Sequence, residues 1–223
     1  MTSQPRMVDL THVLEDGMVT YPGLPSPRIT DFLSWEESGA RYAPGTQFQI
    51  GRIDMIANTG TYLDSPAHRH RGAADLADLP LERVAALPGV VVDATRGGPG
   101  VDRTVFEPHD VAGHAVLVRT GWDRNWRTEA YGGGDAPYLT RAAAQWLVDH
   151  GAALVGIDSL NIDSAADGER PVHTLLLGLG IPVLEHLTQL DRLPTTGFEL
   201  HAAPVPVRGM GTFPVRAYAV LRP

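Results

Sequence analysis

The chain contains no cysteine. That absence removes a disulfide framework, a thiolate nucleophile and any cysteine-based zinc site in one step. Lysine is missing too, so all 18 basic residues are arginine. A coding bias accounts for this, but its chemical consequence stands: a Schiff-base lysine, a pyridoxal phosphate enzyme and the lysine of a phosphate-binding loop are all excluded. No serine sits between glycines as Gly-x-Ser-x-Gly, which disfavours an α/β-hydrolase nucleophile. No apolar run approaches the roughly 20 residues of a membrane span, and the opening "MTSQPRMVDLTHVL" has no signal-type apolar core. A cytoplasmic protein is expected. The formal charge of −8, with no compact run of arginine, argues against nucleic acid and anionic lipid as partners. A small-molecule substrate is the remaining default.

What is present suits one well-buried domain over residues 1–223, since 43% of the chain is hydrophobic. Short β-branched runs at 48–57, 89–95, 115–121, 153–159 and 213–221 read as strands, several continuous enough to be buried on both faces. Helical patterns lie between them. The clearest is 139–151, with Thr140 as cap, Trp146 and Leu147 on the apolar face and Gly151 as stop signal; others are expected within 76–87 and 172–180. His150, at the end of the first, suits dipole complementation better than catalysis. The glycine-rich stretches 96–100 and 131–137 lack the context of a phosphate cradle and read as loops. The mixture indicates an α/β fold.

The chemistry concentrates in "NTGTYLDSPAHRH", residues 58–70. In extended chain, period-2 alternation places Asn58, Tyr62 and Asp64 on one face with Gly60. Pro66 then turns the chain, which brings His68 towards Asp64. A carboxylate and an imidazole so placed form an acid/base pair or ligate a metal; satisfying a turn is an equally good reading of the spacing alone.

This stretch resembles the signature His-x-Gly-Thr-His-x-Asp-x-Pro-x-His of the cyclase family, whose best-known members are bacterial kynurenine formamidases and isatin hydrolases. Further segments match in order: "VDLTHVLEDGMVTYPG", "VLVRTGW", "LVGIDSLNID", "VHTLLLGLGIPVLEHL" and "FPVRAYAV". The resemblance implies an α/β fold built as a mixed sheet with a β-barrel-like core flanked by helices, and a homo-oligomer, dimer or tetramer. It also implies divalent metal, zinc or manganese, with Asp64, His173 and Glu185 as ligands and His68 as acid/base.

The two early histidines of the signature are Asn58 and Tyr62 here. An amide oxygen and a phenol with an ordinary pKa of about 10 are poor replacements, so at most one metal is expected. The leading expectation is a hydrolase acting on a small amide, lactam or lactone, arylformamidase-like, with one metal and His68 moving the proton. The alternative is a metal-free pocket in which Tyr62 and Asn58 donate to an oxyanion and His68 acts as base, which suits a cyclase, dehydratase or isomerase of secondary metabolism. A catalytically silent small-molecule binding protein on the same fold is the third reading.

Other residues carry weaker expectations. His12 lies where the family resembled often has a histidine after its first strand, His201 near the end of a late strand is a candidate to line the pocket, and His70 is expected to be an exposed charge partner. His109, His114 and His186 are assigned surface or packing roles. Tyr21, Trp35, Trp122, Trp126 and Tyr138 either shape the pocket or pack the core.

Overall fold

A computed structural model describes residues 5–221. Its core is one mixed sheet of nine strands: β1 (Arg6–Asp9), β4 (Tyr62–Asp64), β5 (Leu87–Asp93), β7 (Ala115–Arg119), β9 (Leu154–Ile157), β10 (Val183–Glu185), β11 (Phe198–His201), β12 (Thr212–Pro214) and β13 (Tyr218–Leu221). They lie in the order β1-β13-β11-β5-β7-β9-β10-β4-β12, and the sheet forms a half-barrel. The central strands β5, β7, β9 and β10 pair in parallel, and the flanking pairs are antiparallel. Val90, Val92, Val116, Val118, Val155 and Ile157 point to one face, against α2 (Arg141–Asp149) and α3 (Pro171–Gly178); Val91, Leu117, Leu154 and Leu184 fill the other. Strands covered on both faces explain the unbroken apolar runs in their sequences.

α2 starts where its sequence predicts. The Thr140 hydroxyl accepts from Ala143 N at 3.2 Å, and Gly151 follows with φ 73°. His150 bonds through Nδ1 to the Trp146 carbonyl at 2.8 Å and stacks on its indole, a structural role at the helix end.

Three expected elements differ. The run 48–57 is only β3 (Ile50–Asp54), which pairs with β2 (Arg28–Leu33) in a separate two-stranded ribbon and is exposed throughout. The stretch 76–87 holds a single 3₁₀ turn at Leu81–Arg83 instead of a helix. The Asp75 carboxylate takes the Ala77 and Asp78 amides into a turn, and Pro88 keeps Leu87 extended, so no α-helical nucleus survives. The run 213–221 is split into β12 and β13, which serve opposite ends of the sheet. A second small pair, β6 (Gly100–Val101) with β8 (Tyr138–Leu139), and α1 (Trp35–Arg41) complete the fold. No helix among the described residues is long and apolar enough to cross a membrane.

Candidate active site

A cavity of about 420 Å³ opens beside the ends of β4 and β10 and is lined by Asn58, Tyr62, His68, His173 and Glu185, together with Tyr21, Asn161, Arg69 and Arg170. Asp64 lies beneath them, fully buried. All six residues singled out in the sequence therefore meet at one place. Antiparallel pairing of β10 with β4 sets Glu185 opposite Tyr62 and Val183 opposite Asp64, which explains the meeting of residues far apart in sequence. Asn58 arrives by a different route from the one its spacing suggests. Residues 57–61 are bent rather than extended, with Gly60 at φ 68°, where an added Cβ would come 2.4 Å from Leu14.

The Tyr62 phenol donates to Glu185 Oε2 at 2.5 Å, and the Ile162 amide donates to Oε1 at 2.6 Å. Burial raises the Glu185 pKa, with His173 opposing. Burial and the Glu185 charge push the phenol well above its ordinary value, so Tyr62 stays protonated and serves as a donor.

His173 sits on α3, whose first turn has an unusual cap. Arg170 occupies the cap position in the left-handed region at φ 51°, and its side chain makes no capping bond. The Asp163 carboxylate does the work from a neighbouring loop, accepting from Val172 N at 2.7 Å and His173 N at 3.0 Å. The same carboxylate accepts from His173 Nδ1 at 2.6 Å, which turns Nε2 towards Asp64 Oδ2 at 3.5 Å and Glu185 Oε1 at 3.6 Å. Burial pulls the His173 pKa down, but the hydrogen bond to Asp163 and the nearby Asp64 and Glu185 carboxylates outweigh it and hold the imidazole up at about 9.

His68 ends a 3₁₀ turn, Pro66–His68, and its side chain is 28% exposed. Burial lowers its pKa against the opposing pull of Asp64, so the ring is neutral at physiological pH. Its Nδ1 lies 2.7 Å from Thr212 Oγ1, and that hydroxyl also bonds to Asp64 Oδ1.

The donor set suits one divalent cation. Asp64 Oδ2 and His173 Nε2 are buried without a hydrogen-bond partner, and ligand atoms of Asp64, His68 and His173 all lie within 4.8 Å of one another. Glu185 borders this cluster with both oxygens hydrogen-bonded. Among the described residues no second cluster of this kind is found; Asn58 is an amide and Tyr62 is a protonated phenol engaged with Glu185.

A family model described as "Putative cyclase" matches residues 8–164. The chain belongs to the cyclase family. Across 97% of its length, and 97% of the relative's, it is 27% identical to a kynurenine formamidase of Bacillus cereus. It is 29% identical to a kynurenine formamidase of Polaromonas naphthalenivorans, covering 95% of this chain and 89% of that one. Among solved structures, isatin hydrolase A from Labrenzia aggregata superposes with a TM-score of 0.83 at 25% identity, over 98% of this chain and 94% of that one. The half-barrel is thus the fold shared with cyclase-family hydrolases.

Other sequence expectations fall elsewhere. His12 stacks on Trp126 at 3.9 Å and lines a separate cavity of about 370 Å³. His201 stacks on Tyr218 across β11 and β13, away from the site. His70 is not an exposed charge partner: it is half-buried, 3.1 Å from the Thr174 carbonyl. His186 is fully buried and bonded to the Tyr131 phenol at 2.8 Å, so packing understates its role. Tyr21 lines the cavity, whereas Trp35 is exposed and Trp122 donates to the Tyr131 carbonyl. Asp163 and Thr212 escaped the sequence reading. Neither has a local motif, since the partners reported above lie nine or more positions away.

Proposed function

We propose that this protein is a cyclase-family amide hydrolase that opens a C–N bond in a small formamide or lactam, with His68 as the residue that moves the proton. The observation that carries this reading is the convergence of Asp64, His68, His173, Glu185 and Tyr62 on one cavity. The relatives named kynurenine formamidase support the class of bond. An arylformamide is the first substrate to try.

A single zinc or manganese ion would be held by Asp64 and His173, with Glu185 completing the set where one of its oxygens exchanges its hydrogen bond for the ion; such an ion would supply Lewis acidity towards a carbonyl or water. The chain's own residues supply the rest. His68, neutral and partly open to the cavity, takes a proton from the attacking water and returns it to the leaving nitrogen. Asp163 holds the His173 ring in register. Tyr62 keeps the Glu185 carboxylate fixed at the cavity wall.

The Tyr62–Glu185 hydrogen bond also favours a second reading. Here the phenol stands where the signature has an imidazole, and the pocket works as a metal-independent cyclase, dehydratase or isomerase. Exhaustive chelation separates the two. Loss of formamide or lactam hydrolysis with chelator, restored by one equivalent of zinc or manganese, supports the hydrolase with metal. Turnover that survives chelation and falls in Tyr62→Phe supports the second reading.

A homo-oligomer accompanies this proposal. Ile29, Phe32, Ile50 and Ile53 lie exposed on the β2–β3 ribbon, and an isolated ribbon is marginal in water without a covering surface.

A further inference from the structure

We infer that Thr212 is a positioning residue that fixes the ring tautomer of His68, so that the lone pair of Nε2 faces the cavity. The inference rests on the reading of His68 as the proton carrier and adds the element that prepares it.

The arrangement begins in the sheet. β12 pairs antiparallel with β4 so that Thr212 stands directly opposite Asp64, and side chains opposite each other project from the same face. Thr212 is 4% exposed, and its hydroxyl bonds to Asp64 Oδ1. The hydroxyl donates in that bond, so its single proton is committed to the Asp64 oxygen. The same Oγ1 lies 2.7 Å from His68 Nδ1. Having spent its proton, the hydroxyl can only accept there, and Nδ1 must carry the hydrogen. A neutral imidazole holds one hydrogen, which leaves Nε2 with the lone pair a base requires.

Two further observations show that this bridge is built rather than incidental. The direct approach of His68 Nδ1 to Asp64 Oδ1 is 3.4 Å, too long for a good hydrogen bond, so the hydroxyl is the link between ring and carboxylate. Gly211 packs against the His68 backbone, where an added Cβ would come 2.4 Å from His68 N. Only glycine permits strand and turn to approach closely enough for the next residue to reach both groups. A histidine side chain free in water prefers the opposite tautomer, with hydrogen on Nε2, so the bridge changes what the ring can do.

The test is ¹⁵N NMR of histidine-labelled, chelator-treated protein at pH 8, with the His68 resonances assigned by their loss in His68→Gln. The expected result is a protonated Nδ1 on His68 in the wild type, a shift towards Nε2–H in Thr212→Val, and the wild-type pattern in Thr212→Ser. Turnover is expected to follow, with kcat lower by on the order of 10- to 100-fold in Thr212→Val, KM little changed, and Thr212→Ser near wild type. A wild-type His68 protonated on Nε2 overturns the inference, even if Thr212→Val fails to fold. So does an unchanged tautomer in Thr212→Val, or a Thr212→Ser variant as impaired as the valine. If no form hydrolyses any amide, the hydrolase reading fails, while the spectra still decide the role of Thr212.

Discussion

Tyr62 and Glu185 share a buried hydrogen bond of 2.5 Å at the point where the signature of the family places a metal-binding imidazole. The contact stabilises a carboxylate that burial disfavours. Tyr62→Phe removes the donor and leaves Glu185 Oε2 buried and unpaired. The expected cost is about 1–3 kcal/mol, measured by urea unfolding. Unchanged stability would show that this hydrogen bond contributes nothing in solution.

Restoring the signature should restore the second cation. The double substitution Asn58→His, Tyr62→His is expected to raise bound zinc or manganese by about one equivalent per chain, read by elemental analysis. Metal content equal to that of the wild type would contradict the assignment of those two positions.

Asp163 links fold and site, because one carboxylate caps α3 and holds His173. In Asp163→Asn the anionic partner is gone. The His173 pKa should fall from about 9 towards 6.5 or below, since burial then acts with less opposition. Stability should fall by about 1–3 kcal/mol through the weakened cap and the less compensated imidazolium. NMR titration of His173 in metal-free protein checks the first part and chemical denaturation the second. The raised pKa means that this stabilisation is full below pH 6.5 and is lost as pH rises through about 9.

The opposite sign holds for His186. Burial pushes its pKa down to about 3 from 6.5, so the folded state keeps it neutral while the unfolded chain takes up a proton. Stability should decline as pH falls below 6.5 towards 3, by roughly 1.4 kcal/mol per pH unit from this one group. Unfolding free energies of the wild type and His186→Gln at pH 7 and pH 5 test it. A pH dependence identical in the two would remove His186 from the account.

Much of this was legible in the sequence because the strongest signals are local. The valine-rich runs of β5, β7 and β9 are buried on both sides and look so in one dimension, and the cap and stop of α2 are chemical. The candidate site was legible through the motif around Asp64 and His68 and the later His173 and Glu185. What remained hidden depends on pairing across the fold. Thr212 meets Asp64 through strand register, and Asp163 meets His173 from a loop ten residues away; neither has a spacing that marks it. The misread strand at 48–57 has the composition of a core strand but stands on a separate ribbon, a distinction composition does not carry.

The most direct measurement is the rate of carboxylate release from a panel of arylformamides and lactams, wild type beside His68→Gln in metal-supplemented buffer. Turnover of at least one member by the wild type is expected, with a fall of about 100-fold or more in kcat for a variant that remains folded. Undiminished turnover in His68→Gln, or no hydrolysis across the panel by the wild type, would contradict it.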